Sequence, residues 1–481
     1  MSNRIVKLNS TGGSIWYVAV LTFIATLGGL LFGYDTAVIS GTVGSLKVVF
    51  VDPYHWPETL ANSWHGFLVS SALIGCILGG LLGGVVSVKL GRKKGLILAA
   101  VLFLISAIGS AIPEMFFRPI GQADHTFIYH FIFYRIIGGI GVGLASMLSP
   151  MYIAEMSPAS MRGKLVSWNQ FAIIFGMLVV YFVNYSIARQ GDASWLDTTG
   201  WRWMFASEII PAVVFLILLF FVPETPRFLA LKNNEAKAMK ILTKINGPQI
   251  AGVVMDEIKA TLKTSSEKLL SFGYLVIIVG ILLSVFQQFV GINVVLYYAP
   301  EIFKNMGSGT NDSLLLTIIV GIINLSFTVL AIFTVDRFGR KPLQIIGALG
   351  MAIFMFMLGF SFFFNQLGIL AMISMLGYVA CFAFSWGPIT WVLLSELFPN
   401  KIRGGAMAIA VAAQWIANLM ISWTFPIMNS SSSLTKLFNH GFAYWIYGIM
   451  GILAAWFVWK LVPETKGKTL EQIEKLWLKK L

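Results

Sequence analysis

The sequence predicts an all-α integral membrane protein: twelve transmembrane helices in two six-helix halves, with short cytoplasmic linker helices between them. Three observations lead there. The 481-residue chain is 57% hydrophobic and only 11% charged, too little charge to cover a soluble protein of this size. Apolar runs long enough to cross a bilayer, about 20 residues each, recur along it. Short motifs of the first half return, in order, in the second.

The runs lie near 16–42, 64–86, 95–112, 127–154, 165–187 and 203–222, then 272–300, 313–334, 343–363, 368–395, 405–427 and 441–462. The first is longer than a signal-peptide core and lacks a small-residue cleavage site after it, so no cleavable leader is expected. Cys76 and Cys381 both fall inside spans, and no disulfide is expected. The net charge of +13 does not indicate nucleic-acid binding, because the basic residues gather in alternate loops. Lys89, Arg92, Lys93 and Lys94 follow the second span; Arg337, Arg340 and Lys341 follow the eighth. Segment 223–271 carries eight Lys or Arg, whereas loop 364–367 has none. The positive-inside rule makes those basic loops cytoplasmic, and an even number of spans puts both termini inside. The chain divides into a six-helix half at 1–222, a cytoplasmic helical linker at 223–271, a second half at 272–462 and a cytoplasmic tail at 463–481.

The halves repeat. GRKK at 91–94 answers DRFGRKP at 336–342, and PETPR at 223–227 answers PETKG at 463–467. SPMYIAEMSPASMRG at 149–163 answers GPITWVLLSELFPNKIRG at 387–404, pairing Glu155 with Glu396 and Arg162 with Arg403 at one common offset. Together with GYD, YRIIGGIGVG, GWRWMF and QQFVGIN, these motifs resemble a sugar porter of the major facilitator superfamily, nearly end to end. The wording of QQFVGINVVLYYAP and AIAVAAQW is closest to the bacterial D-xylose–proton symporters. The resemblance implies the major facilitator fold and alternating access, with one sugar site between the halves.

Two sets of charges follow. At the inner face, Arg92 and Arg340 are placed to meet Glu155 and Glu396 at helix ends, with Arg162 and Arg403 nearby. The resemblance implies a network of these residues, with Glu224 and Glu464, that locks the outward-open state. The sequence departs from the family at Val88, where Asp is usual, so a weaker first-half lock is expected. Inside the membrane stand Asp35, Arg135 and Glu208. A lone charge at mid-bilayer costs roughly 2.5–3.5 kcal/mol on insertion scales, so such residues are functional candidates or a static ion pair. The functional reading is a proton switch: Arg135 keeps its proton, and its approach or retreat tunes the carboxyl of Asp35. Proton-coupled members of the family carry Asp at this point.

The third set is neutral. Sugar hydroxyls need groups that donate and accept, and sugar faces suit aromatic planes. Gln170, Gln287, Gln288, Asn293, Trp391 and Gln414 are the candidate sugar ligands, with Tyr297, Tyr298 and Trp415 in second rank and Phe32 and Asn324 behind them. An interhelical hydrogen bond is the commoner task of a single membrane amide. Met177 stands where the xylose symporters usually have another Gln, which brings glucose close behind xylose. On one straight helix Asn293 falls over 100° from Gln287 and Gln288 at about 100° per residue. Gly291 therefore predicts a break near 290–293.

The expected function is proton-coupled symport of a neutral monosaccharide, most closely D-xylose, across the plasma (inner) membrane. The alternatives are a coupled or uncoupled hexose (glucose) transporter and a transporter-like sugar receptor. No nucleophile–base pair, zinc motif or phosphate loop suggests an enzyme. No cofactor or metal is expected. The partners are a monosaccharide, a proton and lipid, with no nucleic acid, and the chain is expected to act as a monomer.

Overall fold

A computed structural model describes residues 12–158, 161–263, 271–399 and 402–466. The start of the chain (1–11), the end of the linker (264–270) and the tail from 467 onward lie outside the described residues. Among the described residues, twelve helices are long and apolar enough to cross a membrane, and they are numbered here as spans in chain order: Ile15–Gly41, Glu58–Lys89, Arg92–Ala111, His125–Glu155, Arg162–Ala188, Ala193–Phe221, Tyr274–Asn305, Thr310–Val335, Arg340–Phe363, Ile369–Leu397, Arg403–Asn429 and Phe442–Leu461. The apolar runs found each of them. Spans 2 and 6 start well before their runs, at Glu58 and Ala193, because polar first turns at a membrane surface stay helical without being apolar.

Each helix end has a local cause. Ser14 caps span 1 by accepting from the Tyr17 amide at 3.3 Å. The hairpin turns between spans 2 and 3 and between spans 8 and 9 pass through Gly91 and Gly339, at φ +93° and +94°. A Cβ at either would lie within 3 Å of the Glu224 or Glu464 carboxylate, respectively, so the repeated glycine and the repeated PET glutamate fit one another twice. The linker forms helices Pro226–Leu231, Glu235–Asn246 and Pro248–Lys263, with a small core around Ala238, Leu242 and Met255.

The face that carries the linker is called the linker face below, and the opposite one the far face. Contacts between the halves gather at the far face. Trp423 Nε1 donates to Ser63 O and Oγ at 2.9 and 3.2 Å, Tyr181 donates to Leu296 O at 3.1 Å, and Ser432 bonds the Glu58 carboxylate through both its amide and its hydroxyl. At the linker face, no hydrogen bond or ion pair among the described residues joins one half to the other. The molecule is closed at the far face. A buried pair unforeseen from sequence, Arg202 Nη1 to Glu114 Oε1 at 2.8 Å, ties the loop after span 3 to span 6; the Gly121 amide bonds the same carboxylate at 2.6 Å.

Candidate functional site

Span 7 breaks where its sequence predicts. One helix runs Tyr274–Phe289 and the next Ile292–Asn305, with Gly291 between them in the left-handed region at φ +94°. The break gathers three amides that a straight helix would scatter. Asn293 Nδ2 donates to Gln288 Oε1 at 2.6 Å, and Gln288 Nε2 donates to Gln287 Oε1 at 3.3 Å. Gln287 Nε2 donates in turn to Trp386 O at 2.9 Å. Trp386 lies just past a second break, in span 10, between helices Ile369–Phe384 and Trp386–Leu397, and its carbonyl also accepts from the Thr390 hydroxyl at 2.7 Å. The second break was missed from sequence, although SWGP at 385–388 contains its signal: Pro388 lacks an N–H and cannot continue a helical ladder.

Other predicted ligands stand apart from this chain of amides. Gln414 is buried on span 11 with its Oε1 unmatched by any protein donor. Gln170 and Trp391 are half-buried and make no hydrogen bond among the described residues. Trp415 packs against Phe32 across the halves, centroids 5.6 Å apart, and its Nε1 is buried without a protein acceptor. Tyr297 accepts from Asn418 Nδ2 at 3.4 Å, and Tyr298 donates to Ser422 O at 2.9 Å. Asn324 is buried on span 8. Met177 is buried on span 5, the same span as Gln170. Buried amide and indole atoms left open inside a membrane protein are costly unless something polar meets them.

The intramembrane charges form a second cluster. Asp35 is 0% exposed, and its Oδ1 accepts from Arg135 Nη1 at 2.8 Å. Arg135 Nη2 reaches the Asp35 carbonyl at 3.2 Å, while Oδ2 has no donor. The guanidinium also lies over the Phe205 ring, 5.4 Å from its centre. Glu208 is wholly buried on span 6 in the field of this pair, and neither of its oxygens has a donor among the described residues. Two carboxyls thus face one guanidinium.

At the linker face the repeat is visible in contacts. Arg92 Nη2 binds Glu155 Oε1 at 2.8 Å and Arg340 Nη2 binds Glu396 Oε1 at 3.1 Å. Glu224 accepts from the amides of Arg92 and Lys93, and Glu464 from those of Arg340 and Lys341. The first-half pair is no longer than the second. Arg403 does not pair with Glu155 in this state: its Nε donates to Phe398 O at 3.2 Å, and its Nη2 is buried without a partner. Arg162 is exposed and pairs with no carboxylate among the described residues.

A family profile described as sugar (and other) transporter matches residues 21–477. The chain belongs to the sugar transporter family. Members of that family are carriers, and this one is a transporter, not an enzyme. It is 63% identical to the D-xylose-proton symporter of Escherichia coli (strain K12), covering 96% of both chains. It is 42% identical to a glucose facilitated diffusion protein of Zymomonas mobilis, over 97% of this chain and 99% of that one. It is 41% identical to the arabinose-proton symporter of Bacillus subtilis, over 97% and 96%. The inward open conformation of the E. coli xylose transporter superposes with a TM-score of 0.87 at 61% identity, over 96% of this chain and 100% of that one. The same symporter bound to 6-bromo-6-deoxy-D-glucose gives 0.82 at 62% identity, over 96% and 99%. The fold is the twelve-span major facilitator fold, and the protein is a multi-pass plasma-membrane protein.

Proposed function

We propose that this transporter carries D-xylose together with a proton by alternating access. The single observation that carries the coupling is the buried Asp35–Arg135 pair at 2.8 Å with Glu208 in its field. Kinship with the E. coli D-xylose-proton symporter supports the substrate.

Gln170, Gln287, Gln288, Asn293, Trp391 and Gln414 bind the sugar, and Tyr297 and Trp415 border it. Their amides replace the hydroxyls' water shell without adding charge. Asp35 takes a proton from the far side when that face is open. Once neutral it releases Arg135, which turns to Glu208, and the halves rock about the loaded site. Residues 1–222 and 272–462 move as the two bodies, 223–271 links them on the cytoplasmic side, and the tail at 463–481 lies on that side with the N-terminus. Arg92, Glu155, Arg162, Glu224, Arg340, Glu396, Arg403 and Glu464 lock that face shut when the far face opens. A single chain supplies every group named, so a monomer suffices.

The test is counterflow and uphill uptake in proteoliposomes, using a panel of pentoses and hexoses with and without a pH gradient. Asp35→Asn is expected to abolish accumulation above the equilibrium ratio while sugar exchange persists. Loss of binding itself would refute the switch and make the pair structural. A second reading, glucose as the preferred sugar, is favoured by one observation: Met177 is apolar and buried on the same span as Gln170. Glucose exchange outrunning xylose exchange would select it.

A further inference from the structure

A helix break inside a membrane leaves backbone carbonyls that must find donors within the protein. At the span 7 break the amides bond elsewhere: Gly291 N to Gln288 O at 2.8 Å, and Val295 N to Gly291 O at 3.1 Å. Among the described residues the Val290 carbonyl has no main-chain donor. Tyr378 supplies one, its hydroxyl donating to Val290 O at 2.8 Å. Tyr378 is completely buried and belongs to Ile369–Phe384, the first segment of span 10. The second segment of the same span grips the near side of the break, where Trp386 O and Gly387 O accept from Gln287 Nε2 at 2.9 and 3.4 Å. Span 10 thus holds span 7 on both sides of its interruption. No neighbouring tyrosine duplicates the bond: the Tyr298 hydroxyl is spent on Ser422 O, and that of Tyr447, whose ring lies against Gly291, has no partner.

We propose that Tyr378 is a positioning residue for the sugar site: its hydroxyl keeps span 7 broken and thereby keeps Asn293 against Gln288. The proposal rests on the assignment of Asn293 to that site. Without the hydroxyl, Val290 O is a buried acceptor with no donor. The nearest relief is the helical bond from the Val294 amide. Forming it takes Gly291 out of the left-handed region and straightens the span. In a straight helix Asn293 stands over 100° from Gln287 and Gln288, at about 100° per residue, and the chain of amides is lost.

Tyr378→Phe removes one oxygen and nothing else. Its half-saturation concentration for D-xylose counterflow is expected to rise roughly three- to tenfold, the worth of one net hydrogen bond, with maximal turnover retained. The deciding experiment is a double-mutant cycle with Asn293→Ala, and a control cycle with Gln414→Ala on span 11. Acting through Asn293, Tyr378→Phe adds no further loss to Asn293→Ala but adds its full loss to Gln414→Ala. Additive losses with Asn293→Ala overturn the proposal, as does equal coupling to both partners or an unchanged half-saturation in Tyr378→Phe. An Asn293→Ala variant that binds sugar as the parent does overturns the site assignment, and the proposal with it, which is a distinct result from additivity.

Discussion

At the scale of single residues, the two PET glutamates occupy matching places and respond oppositely to their surroundings. Burial pushes the Glu224 carboxyl up, and the amides of Thr225, Lys93 and Arg92 do not fully offset it. Burial acts the same way on Glu464, but the amides of Lys466, Lys341, Arg340 and Thr465 outweigh it and hold the carboxyl below its ordinary value of 4.5. The linkage signs follow. A depressed carboxyl adds stability that is complete above its unfolded value and is lost as pH falls through the folded one. A raised carboxyl favours the native state at low pH, and that gain disappears as pH rises through the raised value. Glu464→Gln should therefore lower the melting temperature of the purified protein at pH 7, with the deficit shrinking as the pH drops below about 4.5. Glu224→Gln should show the reverse trend, its disadvantage not growing between pH 4 and pH 7. Parallel curves for the two variants would contradict this account. The positions of these glutamates were legible in the repeated PET motif. Their opposite environments were not, because burial and amide counts depend on tertiary contacts that flank each motif.

At the scale of the element, span 7 was legible in unusual detail. Three amides and a glycine in QQFVGIN make sense only if the helix bends, and the break lies at Val290–Gly291. The break in span 10 was missed although Pro388 marks it, because the interrupting residue itself, Ser385, has no helix-breaking character. A tyrosine hydroxyl that satisfies a freed carbonyl, as Tyr378 does for Val290 O at the span 7 break, is equally silent, because a Tyr within an apolar run has no telltale period. The glycine can be tested directly. A Cβ at Gly291 would lie 2.7 Å from the Tyr447 ring, and the left-handed backbone itself disfavours any other residue by about 1–2 kcal/mol. Gly291→Ala is thus expected to weaken sugar binding about tenfold or more, since 1.4 kcal/mol is a factor of ten. Isothermal calorimetry on detergent-solubilised protein would measure it. An unchanged affinity would mean that the break does not shape the site.

At the scale of the whole molecule, the repeated motifs disclosed two halves, but not which face is shut, since that depends on pairings between distant segments. Trp423 with Ser63 and Ser432 with Glu58 join residues more than 350 positions apart, and neither pair has a motif of its own. They exist because the halves lean together at the far face. Rocking must break them and build contacts at the linker face, where Arg403 now has a buried Nη2 without a partner. Glu155 is held by Arg92 through one oxygen, and its other oxygen is also buried and unpaired. These two open valences, one in each half, are complementary in charge and lose nothing by meeting when the linker face closes. The equilibrium between the two states should therefore move in opposite directions with opposite ends of the molecule. Trp423→Phe combined with Glu58→Gln removes far-face bonds made only in the present state, and should raise the population open at that face. Arg403→Gln costs little in the present state, where it loses one bond to Phe398 O, and removes the cation awaited in the other. It should lower that population. A cysteine placed at Gly44, which packs against Glu301 and Lys304 across the far face, reports the difference. Its labelling rate by an impermeant thiol reagent should increase in the first variant and decrease in the second. Shifts of the same sign in both variants would show that the two faces do not share one rocking equilibrium.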